Sequence, residues 1–254
     1  MDLPFMKELA LEAGEIGLKH FGRVTKHYKK DRSIVTAADI EIEHLILKRI
    51  RGRYPSHGIV AEETASSSAH SGPHMWAVDP VDGTQAFSFG FPFWAISIGF
   101  LENGAPTKGV VYQPAIDEMY SGDRGGVFLN GQPLGPAEEL PLDQDSYLMV
   151  PESLHNKYKY SWKGDCLSLG SVAAHCAYVA RGCAVGAISR AFIWDLAAGA
   201  ALMEPLGIHS RYLDGREINW PELYGGKRLP APCLSAKPGH WPSIAACFHQ
   251  WETE

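Results

Sequence analysis

Cysteine is scarce in this 254-residue chain: five are present, none forms a C-x-x-C pair, and none occurs before residue 166. We therefore expect neither a disulfide framework nor a cysteine zinc site. No apolar run approaches the roughly 18 residues that a membrane helix requires. The amino terminus is rich in acidic residues, unlike a secretion signal or an organelle-targeting peptide. These features predict a cytoplasmic protein without a membrane partner.

Excess positive charge is also missing, because the formal net charge is -6. Proteins that bind nucleic acid through its phosphates usually present a basic surface, so we expect no nucleic-acid partner. Hydrophobic residues make up 45% of the chain and aromatic residues 11%, which is typical of a folded globular protein. A chain of this length can bury a substantial core.

The hydrophobic pattern changes from helical to strand-like near residue 58. Apolar spacing predicts a first helix over residues 3 to 21 and a second that begins near Thr36. Short β-rich runs between residues 58 and 129 have short connections, which favours antiparallel pairing. After residue 145 a strand-helix-strand-helix order predicts a second, more α/β-like sheet. A polar segment at residues 135 to 145 suggests subdomains at 1–140 and 141–254.

An acidic motif follows one of the predicted strands. The strand ends at Asp79, Pro80 turns the chain, and Asp82 follows three residues after Asp79, so both carboxylates can converge on one point. Gly83 allows the backbone to approach a ligand closely, and Thr84 begins a predicted helix. This combination suits a hard cation together with a phosphate. The alternative is an ordinary turn, since Asp-Pro and Asp-Gly are common turn dipeptides and Thr84 can be a helix cap.

Further acidic residues strengthen the metal interpretation. Glu62 and Glu63 follow a strand-like run, and Asp195 stands at the start of a helix made of small residues. An acid at a helix start can also serve the helix dipole alone. Asp39, three residues after Thr36, is explained equally well by a capping box. A site built from carboxylates favours Mg²⁺ over zinc, for which histidine or cysteine ligands would be expected.

Taken in order, these motifs resemble the inositol monophosphatase family of metal-dependent, often lithium-sensitive phosphatases. The matching stretches are Glu62-Glu63, Asp79-Pro80-Val81-Asp82-Gly83-Thr84 with Phe87, Trp194-Asp195-Leu196-Ala197-Ala198-Gly199, and residues 33 to 39, 126 to 131 and 169 to 171. The resemblance covers most of the chain. Together with the element pattern it predicts an α/β (α+β layered) fold. The expected arrangement is an alternating α-β-α-β-α sandwich with a mainly antiparallel N-terminal sheet and a smaller C-terminal mixed sheet.

The resemblance implies a phosphomonoesterase that binds two or three Mg²⁺ ions. The implied metal ligands are Glu62, Asp79, the backbone carbonyl of Val81, Asp82 and Asp195, with Thr84 as an optional further ligand. A metal-activated water would attack the phosphorus in line, without a phosphoenzyme.

The resemblance also implies catalytic roles. Glu62 and an Asp39–Thr84 pair would orient and deprotonate the water. The backbone N–H groups of Gly83 and Thr84 would hold phosphate oxygens at a helix start.

The substrate side is less defined. The residues predicted to bind substrate are Gly170, Ser171, Ser189 and Arg190. In animal members of the family, a glutamate that contacts inositol hydroxyls stands seven residues before the Trp-Asp aspartate, whereas this chain has Ile188 there. Arg190 is a candidate for recognising a carboxylate, a second phosphate or a ring hydroxyl, and is otherwise a surface residue. Inositol monophosphate-like compounds, histidinol phosphate and sugar phosphates therefore all stay open as substrates.

Three further expectations concern partners and alternatives. The resemblance implies a small-molecule phosphate ester as the partner and a homodimer as the assembly. The basic run at residues 26 to 32 is either a solvated loop or a patch near the mouth of the site that attracts phosphate. The alternative function is that of a catalytically silent family member acting as a regulatory binding protein.

Overall fold

A computed structural model describes residues 2–29, 33–64, 72–136 and 140–251. The helices are α1 (Leu3–His20), α2 (Ala37–Arg53), α3 (Thr84–Phe89), α4 (Leu154–Lys157), α5 (Val172–Ala180), α6 (Ile193–Met203) and α7 (Trp241–Ala245). The strands are β1 (His27–Tyr28), β2 (Ile34–Val35), β3 (Gly58–Ala61), β4 (His74–Asp82), β5 (Ala95–Glu102), β6 (Ala105–Gln113), β7 (Glu118–Asp123), β8 (Gly126–Leu129), β9 (Gln132–Leu134), β10 (Tyr147–Met149), β11 (Tyr158–Tyr160), β12 (Asp165–Leu167), β13 (Gly186–Ser189), β14 (His209–Tyr212), β15 (Cys233–Ala236) and β16 (Phe248–Trp251). Short 3-10 helices cover Pro114–Ile116, Glu204–Leu206 and Trp220–Leu223.

The N-terminal sheet has seven strands in the order β3-β4-β5-β6-β7-β8-β9. Each neighbouring pair is antiparallel except β3 and β4, which run parallel. Tight turns produce this pattern, as between β5 and β6, where Asn103 and Gly104 both have positive φ. The prediction of a mainly antiparallel first sheet is confirmed.

Helices cover both faces of this sheet, so most residues of its central strands are buried. Val110 of β6 lies in the core with α1 and α2, whereas its neighbour Val111 lies in the core with α5 and α6, as alternation along a strand requires. α6 packs very closely on β6, because a Cβ atom at Gly109 would overlap the carbonyl oxygen of Ala198. This contact fixes the distance of α6, and thereby of Asp195, from the sheet.

The second sheet has five strands in the order β12-β10-β13-β15-β14. β10 pairs in parallel with β12 and β13, while β15 is antiparallel to β13 and β14. The sheet is therefore mixed, as predicted. α5 contacts it from the side of the first sheet, and α7 packs on β15. The layer order is helices, sheet, helices, sheet, helix, which confirms the predicted α-β-α-β-α fold class.

Two smaller antiparallel pairs, β1 with β2 and β11 with β16, complete the strand pairing of the described residues. Division of the chain into subdomains 1–140 and 141–254 stays a prediction, and residues 137–139 lie outside the described part of the chain. One core cluster contains residues of both halves, including Val111 and Leu202. No helix within the described ranges is both long enough and apolar enough to cross a membrane.

Candidate metal centre and active site

Three aspartates meet where β4 ends and α6 begins. One carboxylate oxygen from each of Asp79, Asp82 and Asp195 lies within 4.8 Å of the other two. β4 does not end at Asp79 as predicted but continues to Asp82. Asp79 and Asp82 lie on either side of Pro80, where the pairing of β4 with β5 shifts register, and Asp195 occupies the first turn of α6. The hydroxyl of Ser97 on β5 donates to the carbonyl oxygen of Trp194 at 2.9 Å and ties the start of α6 to the sheet. The structure therefore brings the three predicted aspartates together.

Backbone hydrogen bonds hold two of these carboxylates. Oδ1 of Asp79 accepts from the N–H of Val81 at 3.0 Å, and Oδ2 of Asp195 accepts from the N–H of Phe192 at 2.8 Å. The second bond is half of a capping box, which explains why an acid at the third helical position points back towards the helix start. Both bonds use one oxygen of the carboxylate and allow the other to face a cation.

The third carboxylate, that of Asp82, is held by the beginning of α5. Its Oδ2 accepts from the Ser171 hydroxyl at 2.6 Å and from the N–H of Ala173 at 2.5 Å. The Ser171 hydroxyl also accepts from the N–H of Ala174 at 3.0 Å as the helix cap, and Ser171 is buried. Ser171, predicted from the sequence to bind substrate, is thus placed directly behind a metal-ligand candidate.

Ser171→Ala is expected to raise the Mg²⁺ concentration that gives half-maximal activity by roughly 10- to 100-fold, because side chains that orient metal ligands typically contribute that much. Loss of the cap should also lower the free energy of unfolding by about 1 kcal/mol. Mg²⁺ titrations of the rate and chemical unfolding measure the two effects. Ser146→Ala is a matched control, since Ser146 is a buried serine with hydrogen bonds remote from this cluster. A raised KM for the phosphate ester at unchanged Mg²⁺ dependence would contradict this role and support substrate binding.

Crowding of carboxylates raises their pKa values. Burial and the charges of Glu62, Asp82 and Asp195 raise the pKa of Asp79 well above its ordinary value. Burial and the charge of Asp195 raise the pKa of Asp82 to about 8, and burial and the charge of Glu62 raise the pKa of Asp195 to about 7. The group resists full ionisation unless positive charge is supplied, which is the electrostatic condition of a divalent cation site. All donors are carboxylate oxygens, so the residues present fit Mg²⁺.

Glu62 lies at the edge of this group and is paired with Lys29. Its N–H donates to the carbonyl oxygen of Val78 at 3.2 Å, which sets it beside β4. Lys29 Nζ lies 3.1 Å from Glu62 Oε1 and 2.6 Å from Glu63 Oε1. Burial, above all, raises the pKa of Glu62 to about 7, although Lys29 opposes the shift. The buried Glu43 on α2 accepts from the N–H of Glu63 at 2.8 Å and fixes this loop.

Lys29 belongs to the basic run at residues 26 to 32, for which the sequence predicts no specific partner. The structure favours the alternative in which this run borders the site, because Lys29 contacts two acids of the Glu-Glu pair. Residues 30–32 of the run lie outside the described part of the chain.

Thr84 and Asp39 form the hydrogen bond that the resemblance implied. Thr84 Oγ1 lies 3.0 Å from Asp39 Oδ1 and 3.0 Å from the carbonyl oxygen of Val81. The other oxygen of Asp39 accepts from both the N–H and the hydroxyl of Thr36, so Asp39 also closes the N-terminus of α2. Burial raises the pKa of Asp39, while the hydrogen bonds from Thr36 and Thr84 oppose the shift. The capping bonds of Asp39 and its bond to Thr84 are therefore both present.

Gly83 occupies a turn that another residue would not fit. Its φ of 91° lies in the left-handed region, and a Cβ atom there would be 3.1 Å from both the carbonyl oxygen of Gly170 and the Cβ of Ser171. The turn after β4 is therefore packed against the loop before α5. α3 begins at Thr84, as predicted, so the N–H groups of Gly83 and Thr84 stand beside the aspartates.

The predicted substrate residues Ser189 and Arg190 lie at the end of β13. Ser189 is buried and pairs with Cys233 of β15. Arg190 donates from Nε to the carbonyl oxygen of Leu229 at 3.2 Å and from Nη2 to that of Pro230 at 3.4 Å. Arg190 thus holds a neighbouring chain segment. Sequence reasoning did not indicate this contact, because the partner segment is about 40 residues away.

The model of the inositol monophosphatase family matches residues 3–233. The chain belongs to the inositol monophosphatase family. One relative in this family is the fructose-1,6-bisphosphatase/inositol-1-monophosphatase of Thermotoga maritima, 31% identical over 226 residues that make up 85% of this chain and 87% of the relative. The histidinol-phosphatase of Chlorobaculum parvum is 35% identical over 164 residues, 61% of this chain and 63% of that protein.

Solved structures of the inositol monophosphatase family have the same fold. The Thermotoga maritima IMPase superimposes with a TM-score of 0.82 at 27% identity, covering 97% of this chain and 96% of that one. Family membership confirms the resemblance read from the motifs, and with it the predicted enzyme class, a phosphoric monoester hydrolase.

Proposed function

We propose that this inositol monophosphatase family member is a Mg²⁺-dependent phosphomonoesterase that hydrolyses a small phosphorylated metabolite. The observation that carries the proposal is the convergence of three carboxylates within 4.8 Å beside a hydrogen-bonded hydroxyl and carboxylate pair, Thr84 and Asp39. The first group suits hard cations, and the second suits the orientation of a water molecule.

The cations would be held by Asp79, Asp82 and Asp195, with Glu62 and the carbonyl oxygen of Val81 as further ligands. Bound Mg²⁺ would polarise the phosphate and lower the pKa of the attacking water. Two or three ions are expected from the family resemblance, and the number stays a prediction.

The chain's own residues would orient the water and the phosphate. Thr84 Oγ1 can donate its proton to Asp39 or to the Val81 carbonyl, and in either case its lone pairs can accept a hydrogen bond from water. The Glu62 carboxylate would accept a hydrogen bond or a proton from that water. The N–H groups at Gly83 and Thr84 would bind phosphate oxygens.

The substrate is proposed at the level of a chemical class. The names of the relatives specify inositol phosphate, fructose bisphosphate and histidinol phosphate for those proteins. All are small polar alcohols that carry phosphate monoesters. We infer a substrate of this kind for the present chain, and the homodimer implied by the resemblance stays a prediction for light scattering to test.

Phosphate release from a panel of phosphorylated metabolites is expected to require Mg²⁺ and to stop when chelator is added. Ca²⁺ should suppress the rate, because it accepts more ligands at longer distances and disturbs the alignment of the reacting groups. Inhibition by Li⁺ is expected from the family resemblance. Measurement of inorganic phosphate with each cation tests these points.

Two outcomes would contradict the proposal. Full activity in excess chelator would exclude the metal role of the aspartates. Binding of Mg²⁺ without phosphate release from any ester would support the alternative, a catalytically silent protein with a regulatory binding function.

A further inference from the structure

Arg228 stands beside the start of α6, close to the acidic cluster. It is exposed, and its Nε donates to the carbonyl oxygen of Arg190 at 2.5 Å. Its Cζ lies 6.0 Å from the centre of the Phe192 ring, which stacks on Trp194 at 4.7 Å. The N–H of the same Phe192 holds Asp195. Phe192 therefore links the guanidinium of Arg228 to Asp195, a metal-ligand candidate.

Arg228 places a positive charge at the start of α6 through its contact with the Phe192 ring. Within the described residues the hydrogen bonds of Arg228 use Nε alone, so its two terminal amino groups are the donors available to a ligand. A guanidinium presents such donors in a planar fork that matches carboxylate or phosphate oxygens.

Arg190 holds Arg228 in place. Its guanidinium binds the carbonyl oxygens of Leu229 and Pro230, and the N–H of Leu229 donates to the carbonyl oxygen of Ala191 at 2.9 Å. With the bond from Arg228 to Arg190, these contacts clamp residues 228–230 onto residues 190–191. The hydrogen bonds of Arg190 thus engage its Nε and Nη2, whereas Arg228 is exposed.

The Thr84–Asp39 pair and Arg228 reach the acidic cluster along different elements. Thr84 and Asp39 approach it through Val81, on the turn after β4, whereas Arg228 approaches it through Phe192, at the start of α6. In phosphoryl transfer the attacking and leaving oxygens lie roughly in line on opposite sides of the phosphorus. If Thr84 and Asp39 orient the attacking water, an alcohol that departs towards the start of α6 meets the guanidinium of Arg228.

We propose that Arg228 binds a second oxyanion on the alcohol part of the substrate, so that the preferred substrates are phosphate monoesters that also carry a carboxylate or another phosphate. This inference rests on the proposed phosphomonoesterase function and specifies its substrate class. The exposed guanidinium would lose water only when the substrate arrives, so its charge-assisted hydrogen bonds would favour anionic alcohols over neutral ones.

The test compares substrates in matched pairs that differ in the second oxyanion. Phosphoglycerate against glycerol phosphate tests a carboxylate, and fructose bisphosphate against fructose monophosphate tests a phosphate. The intact protein with Mg²⁺ should prefer the anionic member of at least one pair in kcat/KM, and the pair affected identifies the oxyanion. Arg228→Ala should reduce that preference roughly 10- to 100-fold, mainly through KM, as expected for loss of a charge-assisted hydrogen bond. Arg228→Lys should retain part of it.

Lys227→Ala is the matched control, because Lys227 is the adjacent exposed cation, and it should leave the preference unchanged. Arg190→Ala should weaken the preference in the wild-type background but add nothing in the Arg228→Ala background, since it acts through Arg228. A selective effect of Arg190→Ala that persists without Arg228 would assign the contact to Arg190 and overturn the proposal.

Three other results would also overturn it: no preference in the intact protein, equal losses on both members of each pair in Arg228→Ala, or no loss at all. Turnover of an aryl phosphate with Mg²⁺ separates these failures from failure of the proposed function. If the aryl phosphate is hydrolysed, phosphatase activity stands and the substrate class is wrong. If no ester is hydrolysed, both proposals fall together.

Discussion

Asp79→Asn is expected to lower kcat by more than about 100-fold, beyond the usual effect of residues that merely support a metal ligand. Asp79 is the carboxylate whose pKa responds to Glu62, Asp82 and Asp195 together, so it lies at the centre of the acidic group. Asparagine preserves the shape but removes the charge that cations would share. Steady-state rates at saturating Mg²⁺ and calorimetric Mg²⁺ titrations measure the loss.

The fold should survive this substitution. The amide oxygen of asparagine can still accept the hydrogen bond from the N–H of Val81, and removal of one negative charge relieves repulsion among the carboxylates. In chelator, Asp79→Asn should therefore unfold at the same temperature as the wild type or higher. Asp145→Asn, at an exposed position, serves as the matched control for the substitution itself. Near-native turnover of Asp79→Asn at saturating Mg²⁺ would contradict a shared role for Asp79 in metal binding.

The acidic ligands could be predicted from the sequence because local structure determines how each is presented. Asp79 and Asp82 stand on either side of Pro80 in the last residues of an apolar strand, and Asp39 and Asp195 each stand at the third position of a helix. At that position a carboxylate turns back to the N–H of the capping residue, as both do here. Strand and helix ends therefore imposed most of the orientation of these four side chains.

The antiparallel pairing in the first sheet could also be predicted from the sequence, because short turns connect neighbours such as β5 and β6. The parallel pairing of β3 with β4 could not be predicted, since nothing in a short apolar run specifies the direction of its partner. The close contact of Gly109 with α6 also depends on an element about 90 residues later in the chain, and it could not be derived from local spacing.

The contacts of the site that the sequence did not predict join residues that are far apart in the chain. The hydroxyl of Ser171 reaches Asp82 across 89 positions in sequence, and Lys29 reaches Glu62 across 33. Ser171 caps α5 through Ala174, and its second bond, to Asp82, depends on how the start of α5 packs against β4. Arg190 stays a predicted substrate residue, and the hydrogen bonds of its guanidinium to Leu229 and Pro230, about 40 positions away, could not be predicted from local spacing for the same reason.

The metal-free protein is expected to lose stability as the pH rises from about 4 to 8, and Mg²⁺ should restore it increasingly at the upper end. Asp82 has a pKa of about 8 in the folded protein, and Asp195 and Glu62 have pKa values of about 7, whereas unfolded Asp and Glu ionise near pH 4. Between those limits the folded state binds more protons than the unfolded state, so the free energy of unfolding falls as pH rises. Unfolding in chelator and in saturating Mg²⁺, at intervals from pH 5 to 8, measures both curves.

Mg²⁺ binds ionised carboxylates, so its stabilising effect should grow over the same pH range. A difference in melting temperature of several degrees is expected at pH 8, since about 1 kcal/mol corresponds to roughly 2 to 4 °C in a protein of this size. Asp82→Asn removes one of the groups with a raised pKa, and its metal-free stability should therefore depend less steeply on pH. A stabilisation by Mg²⁺ that is constant from pH 5 to 8, or a metal-free protein that is most stable at pH 8, would show that this acidic group does not set the metal dependence. Because this test measures unfolding and uses no substrate, it examines the metal site independently of whether the true phosphate ester is known.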